Sequence, residues 1–105
     1  MMANALRGEV AVVLDGQPHL ARLTLGALAE LESQLKADGL AGLVARLDEG
    51  RFSSAEILAV VVAGLRGAGW TGSAQDLRAV QIEGGPLEAA RIAARLLALA
   101  FRAPE

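Results

Sequence analysis

The stretch Leu23–Leu35, LTLGALAELESQL, decides how the chain is read, because a strand-like pattern turns helical inside it within a residue or two. Thr24 supplies the reason. A threonine side chain can accept a hydrogen bond from an orphan N–H of a first helical turn, so a strand can end where a helix is capped. Beyond it Leu28, Leu31 and Leu35 fall at i, i+3 and i+7, with Glu30, Glu32 and Gln34 mostly between them. The spacing predicts an amphipathic helix over about 25–37, stopped by Asp38-Gly39, with an apolar stripe able to fold back on the segment before it.

Upstream, Glu9–Leu14 reads EVAVVL, rich in β-branched valine, and is followed at once by Asp15-Gly16, a hairpin-turn signal. The return segment HLARLTL does not alternate cleanly, so its register is open, but it is short and bounded by the turn. A two-stranded hairpin is expected over about 8–23, with strands at roughly 8–14 and 18–23.

Downstream, Leu40, Leu43, Val44 and Leu47 predict a second helix over about 40–48, ended by Gly50. FSSAEI carries a full helix-start signature: Ser53 as N-cap, Glu56 closing a capping box, and Phe52 stapled against Ile57. The helix it opens, about 54–67, is apolar nearly all round, as a central and most buried element should be. Ser73 with Asp76 starts a short helix, about 74–82, and Pro86 opens the last, about 86–102. The fold class expected is α+β, mostly α: an N-terminal two-stranded β-hairpin packed on a bundle of about five helices, one domain over residues 1–105.

Composition limits function. Aliphatic residues and alanine carry most of the 53% hydrophobic content, with three aromatic residues, which favours packed helices. A net charge of −2 gives no general positive field for phosphate backbones or anionic lipid, so neither nucleic acid nor membrane is an expected partner. The amino-terminal MMANALRGEV lacks the apolar core of a signal peptide, and the longest apolar run, Ile57–Leu65, is about half of the ~20 residues a helical span needs. With no cysteine, the cytoplasm is the expected location.

No catalytic set emerges. His19 is the only histidine, and with no cysteine or tyrosine it has few partners for a triad or a metal site; it reads as a half-exposed strand residue. The carboxylates Glu30/Glu32 and Asp48/Glu49 do not share helical faces. Gly64, Gly67 and Gly69 end a helix instead of joining a strand to a helix, so a phosphate loop is not read there. The expectation is no enzyme, no cofactor and no metal.

The last helix carries two apolar stripes, Leu87/Ala90/Ala94/Leu97/Phe101 and Ile92/Leu96/Leu99, beside a polar strip of Glu88, Arg91, Arg95 and Arg102. One stripe should cover the central helix, leaving the other for a second copy or a client helix. Ile92, Leu96 and Leu99 are taken as that partner-binding set. Trp70 is either a plug over helix ends or an exposed partner anchor; lone tryptophans more often pack inward.

The hairpin segment RGEVAVVLDGQPHLARLTLGALAELES and the helix GRFSSAEILAVVVAGLRGAG together resemble the small tail-assembly chaperone family encoded beside the tail tube gene of gene transfer agents, which are phage-tail-like particles made by bacteria. The resemblance implies a morphogenesis factor that engages the tape-measure protein, helps recruit tail tube subunits and leaves before the particle is finished. Members of this family are also described as tail tube proteins, but tube subunits are usually sheet-rich with long hairpins pairing into a ring. The alternatives are a structural tail component and a small homodimeric helical adaptor or regulator.

Overall fold

The computed structural model of the chain describes residues 2–35 and 38–101. After a single 3-10 turn at Ala5–Arg7, β1 (Val10–Leu14) and β2 (Gln17–Ala21) form an antiparallel hairpin, followed by α1 (Leu25–Glu32), α2 (Gly39–Asp48), α3 (Ser54–Gly67), α4 (Ala74–Ala79) and α5 (Gly85–Ala100). The architecture is the expected one, a hairpin on five helices.

Local chemistry sets most boundaries. Asp15 (φ 48°) and Gly16 (φ 79°) both take positive φ, as a two-residue hairpin turn with the right twist requires. The Thr24 hydroxyl accepts the Ala27 N–H at 3.1 Å and starts α1. At α3 the Ser53 hydroxyl accepts the Glu56 N–H (3.1 Å) while the Glu56 carboxylate accepts the Ser53 N–H (2.9 Å), and Ser73 with Asp76 builds a second capping box at α4.

Three boundaries differ from the sequence reading. Helix α1 ends at Glu32, followed by a turn over residues 33–35, so the expected continuation fails there and its last two residues, 36–37, lie outside the described ones. Strand β2 stops at Ala21; the Arg22 N–H leaves the hairpin and donates to the Gly64 carbonyl on α3 at 2.8 Å. Helix α4 ends at Ala79 because Val80 turns extended (φ −97°, ψ 156°), which lets Ile82 form a β-bridge with Leu14. The expected end of α5, Arg102, lies outside the described residues.

Helix α3 is the hub. It packs against β2, α1, α4 and α5, and Val60, Val61 and Leu65 are fully buried in it. The stripe of α1 closes mainly on α3, with Leu31 buried and Leu28 and Leu35 at the core's edge, so the hairpin is held through α3 rather than by α1 lying across it. Gly67 is the last residue of this helix, as the spacing suggested, whereas Gly64 stands inside it; at both, neighbours come too close for a side chain, since a Cβ on Gly64 would lie 2.7 Å from Leu96 Cδ1 and one on Gly67 would enter the Arg22 carbonyl group. Gly69, with φ 106°, is the residue that lets the chain leave the helix.

The buried face of α5 follows neither expected stripe but takes Leu97 from one and Ile92 and Leu96 from the other. Ile92 (3% exposed) and Leu96 (1%) face α3, together with Ala89 and Ala93, whereas Leu87 (65%) and Phe101 (55%) point outward. The physical reason is close approach. Ala89, Ile92, Ala93, Leu96 and Leu97 follow i, i+3, i+4, i+7 and i+8, and the alanines bring α5 near enough for Leu96 to fill the space above Gly64.

Candidate functional site

The amino-terminal half of α3 is less completely covered than the rest. On one side its first turns face Leu77 and Arg78 of the short α4, Ile82 of the extended Val80–Ile82 segment, and Pro86 and Ala89 at the start of α5. Between these elements lies an apolar groove of about 540 Å³, floored by Ile57, Leu58, Val61 and Leu77 and walled by Ile82 and Pro86. Phe52, 40% exposed, stands at its mouth and shares the groove with Ile57, its expected staple partner. Among the described residues Arg78 is the one charged residue lining it.

The groove is held open by tethers that sequence spacing alone does not reveal. Asp15 reaches across to residue 81, its N–H donating to the Gln81 carbonyl and its carboxylate accepting the Gln81 N–H, both at 2.9 Å. The Glu83 N–H donates to the Val13 carbonyl at 3.0 Å. These bonds pin the Val80–Ile82 wall to the hairpin, so the groove's shape rests on contacts more than sixty residues apart in sequence.

At the opposite side of α3's first turn, the Arg46 guanidinium joins α2 to the capping box through charged hydrogen bonds to Glu56 and to Asp38. The hydrogen bond from Arg46, then that from the Ser53 N–H, holds the Glu56 carboxyl below its ordinary range, with burial pushing the other way. The same bond to Glu56 raises Arg46 against its own desolvation. Arg46 Nε is buried with no hydrogen-bond partner, a cost that the two carboxylates offset.

The candidate residues named from sequence do not come together as an open surface. Ile92 and Leu96 are core, and Leu99 is half-buried against it beside a shallow recess containing Leu6, Arg22 and Thr24. Trp70 is half-buried and packs on the core where α3 ends, its backbone N–H donating to the Leu65 carbonyl at 2.9 Å. His19 is half-buried opposite Val12 in the hairpin. The groove residues Leu58, Leu77, Arg78 and Ile82 were missed; the available signal was a central helix apolar on every face, with more lining than one core consumes.

Among the described residues no group of three or more His, Cys, Asp or Glu side chains could hold a metal ion. No helix among them is long and apolar enough to cross a membrane.

The family model described as phage tail tube protein, GTA-gp10, matches residues 7–103. The chain belongs to that family. The match runs through α4 and α5 as well as the hairpin and α3, so the family's pattern covers the whole groove. Membership ties the chain to the tail of a phage-like particle, in its morphogenesis or its structure. No curated protein and no solved structure matches the chain.

Proposed function

We propose that the chain is a non-enzymatic, cytoplasmic assembly factor for the tail of a gene transfer agent: a chaperone that engages the tape-measure and tail tube proteins and does not form the tube wall. The observation that carries this reading is the state of the hairpin's edges. A wall made by strand pairing between subunits needs open edges. Here the last part of the outer edge of β1 is already taken, Val13 by Glu83 and the adjoining Asp15 by Gln81, and that of β2 is interrupted by Pro18, which has no N–H, before the chain turns onto Gly64. Each strand is only five residues long. A protein that shields apolar client surface needs instead an accessible apolar recess, and the groove over Leu58 and Leu77 supplies one.

The description of the family as tail tube protein supports a second reading, a structural subunit of the tail. Deleting the gene and complementing it with a tagged chain separates the two in part. The chaperone reading expects tail tube protein to accumulate unassembled in the deletion strain, and the complementing chain to co-purify with the tape-measure protein from cells that have not yet released particles. Normal tails in the deletion strain would defeat both readings. A tagged chain found only in polymerised tubes would favour the structural one.

A further inference from the structure

We infer that the groove between α3, α4 and the start of α5 receives an acidic amphipathic helix of a partner protein, with apolar side chains on the Leu58/Leu77 floor and a carboxylate on Arg78. Three features lead there. The first is shape: about 540 Å³ lies within the roughly 300–1,000 Å³ typical of recesses that bury a ligand's apolar groups, and the floor is aliphatic. The second is mode of recognition. An added strand would need a free sheet edge, and the extended segment that walls the groove, Val80–Ile82, is already paired with the end of β1; a polyproline segment docks on aromatic-lined surfaces, and among the described residues Phe52 is the one aromatic side chain lining the groove. A helix inserting side chains at i, i+3, i+4 and i+7 remains the mode that fits an aliphatic trough between helices.

The third feature is charge. Arg78 is exposed at the rim, and among the described residues it makes no salt bridge, unlike Arg46, Arg51, Arg66 and Arg91. Among the described residues no carboxylate lines the groove. In a chain of net charge −2, the recess is thus locally positive and selects a helix with Glu or Asp beside its apolar stripe over one with Lys or Arg. A second copy of the chain is a poorer occupant, because the outward Leu87 and Phe101 of α5 stand at opposite ends of the helix with the buried Leu97 and the Arg91–Glu88 pair between them, so they form no continuous apolar stripe flanked by carboxylates.

The inference rests on the reading of the chain as a client-binding assembly factor, and its test uses probes that keep the two apart. Two synthetic helical peptides with the same leucine stripe, one flanked by glutamate and one by lysine, are titrated into the full chain and followed by amide chemical shifts. The acidic peptide should bind with shifts centred on Leu58, Leu77, Arg78 and Ala89. Arg78→Glu should weaken it by about tenfold and bring in the lysine peptide instead. Arg78→Ala, which leaves the fold's packing untouched, should give the loss without the gain. Equal binding of both peptides, shifts elsewhere, or binding of neither overturns the inference. Purified tape-measure protein is then tested on the same variants. Binding that ignores Arg78→Glu would leave the assembly-factor reading standing and remove the groove from it, whereas no binding alongside an intact peptide charge swap would do the reverse.

Discussion

Gly67 is the position where the packing argument is most exposed to refutation. Helix propensity alone says that Gly67→Ala should help, by up to about 1 kcal/mol. The structure says otherwise. A Cβ there would lie 3.3 Å from Ala27 Cβ and 3.3 Å from the Arg22 carbonyl carbon, and nearer still to that carbonyl's oxygen, so backbone rather than a flexible side-chain end must give way. Parting the two segments also stretches the bond from the Arg22 N–H to the Gly64 carbonyl, 2.8 Å at rest. Overpacking costs about 1–3 kcal/mol and a lost hydrogen bond about 1 kcal/mol, which together outweigh the propensity gain and leave a net loss of about 2 kcal/mol. For a domain of this size that is a fall in Tm on the order of 10 °C. Gly26→Ala is the internal control: it is helical, its nearest neighbour would be Thr24 Oγ1 at 3.9 Å, and it should gain about 0.5–1 kcal/mol. Urea denaturation of both variants gives the answer through the sign. A Gly67→Ala protein as stable as the parent would mean that the β2 exit does not cross α3 at this point.

Ser53→Ala removes one half of the α3 capping box and should cost about 1 kcal/mol in chemical denaturation; a change below about 0.3 kcal/mol would deny that the helix starts there. Because Glu56 is held below its ordinary value of 4.5 in the folded state, the stability it contributes is complete above that value and is lost as pH falls through the lower folded one. Glu56→Gln should therefore flatten the acid limb of the stability profile below about pH 4.5, and an unchanged limb would place the acid sensitivity elsewhere. Leu96→Ala should cost about 2–5 kcal/mol, while Leu87→Gln, on the outward face, should stay within about 0.5 kcal/mol of the parent; equal losses would contradict the assigned orientation of α5.

What the sequence made legible was local chemistry. Thr24, Ser53 with Glu56, Ser73 with Asp76 and Asp15-Gly16 act within four residues of themselves, so their spacing predicts the elements they start or turn. Tertiary choices were less legible. Helix α5 offers two apolar stripes, and the true contact face follows neither, because it takes Ile92 and Leu96 from one, Leu97 from the other, and Ala89 and Ala93, whose small size permits the α3 approach, from outside both. Gly64 reads as part of a helix end for a related reason: a glycine that admits a neighbour looks in sequence like a glycine that frees a turn. The groove depends on Asp15 reaching Gln81, and no local pattern contains that contact. Val80 and Ile82, alternating around Gln81, were the trace of the extended wall.

The central claim is that this member of a tail tube family assists assembly without becoming the tube. Quantitative mass spectrometry of purified mature particles, set beside lysates taken before release, measures it directly. The account predicts the chain to be readily detected in the lysate and, in particles, far below the copy number of the ring-forming tube protein. Copy numbers in the mature particle equal to those of the tube subunit would contradict it.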